Sequence, residues 1–166
     1  MICIALTGPP GSGKSSVRQA LSVRLPAESL DIVDFFEPDT GFSAAERWKA
    51  FLDLLAKTDD ALANGTNVVV EAFLFRPQRL APLTELCAQH QARLVVICLT
   101  GELHVLMERV RLRSHGQLQT EVSDREIARF YTNFSGFVAD LTIDTTHRKV
   151  DEVVREIEEV INNGQR

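Results

Sequence analysis

The chain has 166 residues, with 18 Lys and Arg against 23 Asp and Glu, a formal net charge of −5, and 45% hydrophobic and 25% charged residues. That length and balance suit one globular domain, residues 1–166, with a full core. No apolar run approaches the roughly 20 residues that span a bilayer, and the acidic balance argues against an extended nucleic acid bound over a broad surface.

The N-terminus carries no basic region ahead of its apolar stretch, so it is not read as a signal peptide. Cys3, Cys87 and Cys98 are odd in number and scattered through apolar segments. They read as reduced core thiols of a cytoplasmic protein, not as a metal site.

Ile2–Thr7 is nearly continuous in apolar residues and reads as a strand buried on both faces. It runs into Gly8-Pro9-Pro10-Gly11-Ser12-Gly13-Lys14-Ser15, which fits G-x-x-x-x-G-K-[ST], the phosphate-cradling P-loop. Glycines let the chain turn back and leave no Cβ between backbone and phosphate. Lys14 brings a mobile positive charge, the Ser15 hydroxyl can ligate Mg2+, and the helix that follows points its positive end at the anion. With Ser16 next on that helix, residues 8–16 are the candidate contacts to a nucleoside triphosphate.

The helix is expected to run to about Leu25, with Pro26 as its stop. Residues 29–36 read as a second strand ending in an acidic and aromatic cluster that holds Asp31, Asp34, Phe35 and Phe36. A helix over residues 43 to about 57 carries Ala44, Trp48, Phe51, Leu52 and Leu55 on one face, and Ser43 with Glu46 completes a capping box. A separate short helical piece leads to Asn64-Gly65. Asn67–Glu71 reads as a third strand ending in a carboxylate, and Pro77 opens a helix to about His90.

Arg93–Thr100 is the fourth strand, followed by a helix over residues 102–113 and a polar tract, 114–122, without apolar period. Ser123 and Glu126 cap a helix whose inner face takes in Phe130, Phe134 and Val138. A short strand over residues 139–143 and a final helix close the chain. Apolar strands alternating with helices predict an α/β fold, a parallel sheet covered on both faces. Ligands in such sheets sit beyond the carboxyl ends of the strands, which points to residues 8–15, Asp34, Glu71 and the Thr100 region.

Assembled in this order, the residues resemble the small P-loop kinases, the superfamily of adenylate, shikimate and gluconate kinases, chloramphenicol phosphotransferases and the polynucleotide kinase domain. The resemblance implies a three-layer P-loop NTPase fold with a five-stranded sheet in the order 2-3-1-4-5. It also implies an acceptor-binding segment at about 35–65 and a mobile lid at about 109–125. ATP and Mg2+ are the implied cofactors, and a hydroxyl of a small molecule the implied acceptor. Members that phosphorylate a hydroxyl place an Asp just after the second strand, and Asp34 matches that position. A carboxylate there can hold the acceptor oxygen in line and take its proton. A plain polar strand end is the alternative for Asp34 and Asp31, and core packing is the alternative for Phe35.

Glu71 stands where the superfamily places a carboxylate that positions Mg2+ through water. Adenylate kinases read D-G-F-P-R there, whereas this chain reads Glu71-Ala72-Phe73-Leu74-Phe75-Arg76-Pro77. The displaced Arg weakens the nucleoside-monophosphate reading and leaves Arg76 and Arg79 as acceptor-pocket candidates. The tract Glu108-Arg109-Val110-Arg111-Leu112-Arg113 is similar to the lid entry of these kinases. Arg109 and Arg113, four residues apart and so about 40° apart on a helix, can converge on one anion. A solvated basic face is the alternative. Arg148 falls in the loop that contacts adenine in the family.

Two other functions stay open. One is a nucleoside or nucleotide kinase, or a 5′-hydroxyl kinase of nucleic acid. The other is a nucleotide-dependent switch or ATPase, although the guanine-reading N-K-x-D string does not occur.

Overall fold

Side chains alternate across a strand, so a run such as Val68-Val69-Val70 needs cover on both sides. The computed structural model describes residues 1–37, 43–113 and 123–163, apart from the Arg113 side chain, and provides that cover in three layers. Strands β1 (Ile2–Thr7), β2 (Ala27–Asp31), β3 (Asn67–Glu71), β4 (Arg93–Thr100) and β5 (Leu141–Asp144) form one parallel sheet in the order β2-β3-β1-β4-β5. This is the order that the resemblance implied.

On one face Cys3, Ala5, Val68 and Val70 pack with α2 (Ala44–Ala63) and α3 (Pro77–Gln89) through Phe51, Leu54, Leu62 and Leu83. On the other, Ile4, Leu6, Val69 and Ile97 pack with α1 (Lys14–Arg24) and α6 (Val150–Asn163) through Leu21, Val154 and Ile157. The three cysteines are buried, and burial pushes the Cys98 thiol up to about 11. Two further helices, α4 (Leu103–Arg113) and α5 (Asp124–Phe134), gather at the carboxyl ends of the strands. There Phe130 stacks on Phe73 with ring centroids 5.0 Å apart. Among the described residues no helix is long and apolar enough to cross a membrane.

Several boundaries differ from the sequence reading, each for a local reason. β2 stops at Asp31, whose Oδ1 accepts the Val33 N–H at 3.1 Å and so starts a 3-10 turn, Ile32–Phe35. Asp34 therefore lies on that turn and not on the strand. α2 is one continuous helix: Thr58 is buried and donates its hydroxyl to the Leu54 carbonyl at 2.8 Å, and Ala61 and Leu62 continue the buried stripe. That stripe runs through Ala50, Phe51 and Leu54, which leaves Trp48 41% and Leu52 47% exposed. Gly136, at φ +81°, turns the chain just after α5, and Val138 is left in solvent. Both expected capping boxes are present, at Ser43 with Glu46 and at Ser123 with Glu126. Residues 114–122 of the lid expected at about 109–125, and residues 38–42 of the acceptor segment, lie outside the described residues.

Candidate active site

The site begins where β1 ends. Gly8 (φ +144°), Gly11 (φ +81°) and Gly13 (φ +87°) all adopt conformations that an L side chain resists. At two of them space is also closed. A Cβ on Gly8 would lie 2.0 Å from the Leu99 carbonyl oxygen, and one on Gly11 would lie 2.4 Å from that of Leu106. The loop is thus wedged between β4 and α4. Inside it, Ser12 N–H and the Lys14 ammonium both donate to the Pro9 carbonyl, at 3.3 and 3.0 Å. Lys14 also lies 5.6 Å from the Phe73 ring centroid, so the cation is held close to the loop by its own backbone and an aromatic face.

The arrangement fits a triphosphate. α1 opens at Gly13 with no side-chain cap and no acidic residue in its first turn. Its first N–H groups have no intrahelical partner, and their positive end is not offset locally. The Ser12 hydroxyl is buried inside the loop without a hydrogen-bond partner among the described residues.

Beside the loop, strand register brings distant residues into one row: Asp31 opposite Glu71, and Glu71 opposite Leu6. The Ser15 hydroxyl donates to Glu71 Oε1 at 3.1 Å. Arg18, one turn further along α1, donates from Nε to Glu71 Oε2 at 3.2 Å and from its terminal nitrogens to Ser29 Oγ at 2.6 Å and Asp31 Oδ2 at 3.0 Å. Burial and the neighbouring Glu71 charge push the Asp31 carboxyl above its ordinary range, outweighing Arg18 and the Val33 N–H, which pull it down. Arg18 was missed in the sequence. Its position three residues after Ser15 on the same helix face was the available signal.

The hydroxyl of Ser15 beside the Glu71 carboxylate is a hard-oxygen pair suited to Mg2+, which keeps most of its waters and phosphate ligands. Among the described residues there is no group of three or more His, Cys, Asp and Glu that could hold a metal by itself. Phosphate oxygens and water would have to complete such a site.

On the far side of the loop a cavity of about 390 Å3 is lined by Ser12, Gly13, Ser16, Arg109, Thr145 and Arg148, among others. Arg109 is a strut in its wall. It donates to the carbonyls of Thr145 (2.8 Å), Thr146 (3.0 Å) and Gly11 (3.5 Å) and to the Thr145 hydroxyl (3.1 Å). Thr145 in turn lies 3.2 Å from the Ser12 carbonyl, and the Thr146 hydroxyl accepts the Glu102 N–H at 2.8 Å. Arg148 pairs with Glu156 and donates to the Glu152 carbonyl. Arg111 pairs with Asp124, on the other side of α4 as its spacing predicts. The Arg113 side chain lies outside the described residues.

On the acceptor side Asp34 is exposed on its 3-10 turn, with Phe35 half-buried against the core. Arg76 lies 5.5 Å from the Phe75 ring, and Arg79 rests on Trp48 and Phe51.

Several known proteins are similar to this chain. A shikimate kinase of Enterococcus faecalis is 28% identical over 174 residues, covering 95% of this chain and 96% of the relative. A thymidylate kinase of Pseudomonas putida is 38% identical over 95 residues, 57% of this chain and 42% of that one. The crystal structure of a gluconokinase from Sinorhizobium meliloti superposes with a TM-score of 0.71 at 21% identity, covering 98% of this chain and 92% of that one. The AAA domain family matches residues 3–137. The chain belongs to that family and has the fold of the small P-loop kinases.

Proposed function

We propose that the chain is an ATP- and Mg2+-dependent phosphotransferase that moves the γ-phosphoryl group to a hydroxyl of a small molecule. The observation that carries this reading is the row of Asp31 and Glu71 beside the P-loop, with Ser15 bonded to Glu71 at 3.1 Å. In this reading Glu71 serves the metal-bound phosphate, and the acidic end of β2, where Asp31 leads to Asp34, serves the acceptor. In this reading the N–H groups of residues 8–16 and Lys14 hold the phosphates, and Arg109 and Arg148 border the rest of the nucleotide. Ser15, and Glu71 through water, hold Mg2+, which neutralises phosphate charge.

Asp34 holds the acceptor hydroxyl and takes its proton as the oxygen attacks phosphorus. The new O–P bond forms as the bond to the ADP oxygen breaks. Lys14, Arg109 and Arg113 meet the charge on the transferring group. Phe35, Arg76 and Arg79 line the acceptor. A second reading gives the proton to Asp31, favoured by its raised pKa, since a carboxylate disfavoured by burial accepts a proton more readily.

The acidic net charge supports a small acceptor over an extended nucleic acid. The test is ADP release over sugars, nucleosides, nucleotides, aminoglycosides and a 5′-hydroxyl oligonucleotide, with Lys14→Ala as the blank and mass spectrometry of the product. Slow hydrolysis of ATP with no phosphorylated product across the panel would replace transfer with a nucleotide-dependent switch.

A further inference from the structure

α2 runs back along the sheet into β3, so its first turns sit at the carboxyl edge of the strands, and α3 starts from that same edge. Arg47 and Trp48 therefore meet Arg76 and Arg79 beside the proposed transfer site. The Arg79 guanidinium lies 4.9 Å from the Trp48 ring centroid and 4.6 Å from that of Phe51, and it donates to the Arg47 carbonyl at 3.0 Å. Phe73, which lies against Lys14, stacks on Phe130, and Phe130 meets Phe75, the ring beside Arg76.

Burial and the charges of Arg47 and Arg76 all push the Arg79 pKa down, and no carboxylate among the described residues pairs with any of the three. Arg18, Arg24, Arg111 and Arg148 have such partners in Asp31, Asp151, Asp124 and Glu156, whereas Arg93 and Arg109 spend their donors on backbone carbonyls. Arg47 and Arg76 are exposed, and Arg79 is half-buried between them on its aromatic seat. A bound anion would offset the like charges around Arg79, and paired guanidinium forks suit carboxylate and phosphate oxygens equally well.

Resting on the phosphotransferase reading, we propose that Arg76 and Arg79, with Arg47 beside them, bind an anionic group of the acceptor. The substrate is then a hydroxy compound bearing a carboxylate or a phosphate ester, and neutral polyols and aminoglycosides are poor acceptors.

Trp48 is the only tryptophan of the chain and touches Arg79, so its fluorescence reports the cluster without any need for turnover. Inorganic phosphate and malonate are titrated into the full chain without nucleotide. The expected result is a saturable change in Trp48 emission with one or both. It weakens by about tenfold or more in Arg79→Gln and in Arg76→Gln, as loss of a charge-assisted hydrogen bond implies, and persists in Lys14→Ala. Arg76 is exposed, so its variant remains informative if Arg79→Gln folds poorly. The tighter of the two probes distinguishes a phosphate ester from a carboxylate.

An unchanged response in Arg76→Gln and Arg79→Gln, or one abolished by Lys14→Ala, would overturn the proposal by placing the anion elsewhere or at the P-loop. So would a neutral acceptor whose KM is untouched by Arg76→Gln, which leaves transfer standing. Saturable anion binding with no phosphorylated product across the panel would leave the anion site standing and sink the transfer.

Discussion

Replacing Arg18 by Met keeps the aliphatic stem and removes a cation that joins α1 to β2 and β3. Its side chain is 12% exposed, and the carboxylates it pairs with, on Asp31 and Glu71, are 7% and 10% exposed. Removing one member of a buried ionic network typically costs about 3–5 kcal/mol, because the remaining charges stay buried without a partner. In a domain of this size that amounts to a fall in Tm of roughly 10 °C or more.

The effect also has a pH signature. Asp31 already has a folded-state pKa above its unfolded value, so its contribution to stability is fully present below the unfolded pKa of about 3.9 and is lost as pH rises through the folded pKa. Without Arg18 the folded pKa rises further, and the loss on raising pH grows. The gap in urea midpoint between wild type and Arg18→Met should therefore widen from about pH 4.5 to about pH 7.5. The double variant with Asp31→Asn should recover part of it. A Tm within a degree or so of wild type, or a gap that is flat with pH, would refute the network as the origin of the cost.

Glycine replacements in the P-loop should rank by space. Gly8→Ala forces a Cβ to 2.0 Å from the Leu99 backbone and should cost about 3 kcal/mol or more in urea denaturation, whereas Gly13→Ala meets nothing within 4 Å and should cost about 1–2 kcal/mol for its φ alone. The reverse order would contradict the wedged loop. Asp34→Asn is expected to bind a fluorescent ATP analogue as wild type does and to lose transfer by about a hundredfold or more; if Asp31→Asn loses transfer and Asp34→Asn keeps it, the proton goes to Asp31. Arg109→Met frees the carbonyls of Thr145 and Thr146 and should weaken nucleotide binding about tenfold or more, measured by calorimetry, with the acceptor KM unchanged.

The parts of this protein legible in its sequence are those governed by near neighbours. A continuous apolar run makes β1, the glycines and lysine after it make the P-loop, and a Ser three residues before a Glu starts α2 and α5. Even the misplaced end of β2 had a local cause, the Asp31 side chain capping Val33, but the apolar residues that follow hid it. The break expected in α2 failed because Lys57-Thr58-Asp59-Asp60 looks polar, while Thr58 is buried and bonded within its own helix.

Tertiary structure decided what the site contains. Arg18 and Glu71 are 53 residues apart, and Arg109 and Thr145 are 36 apart. Their meeting depends on strand register and on how α4 is seated against the P-loop. Period and propensity are short-range properties of the chain, whereas a buried charge network exists only where packing excludes water around groups that the chain itself keeps distant.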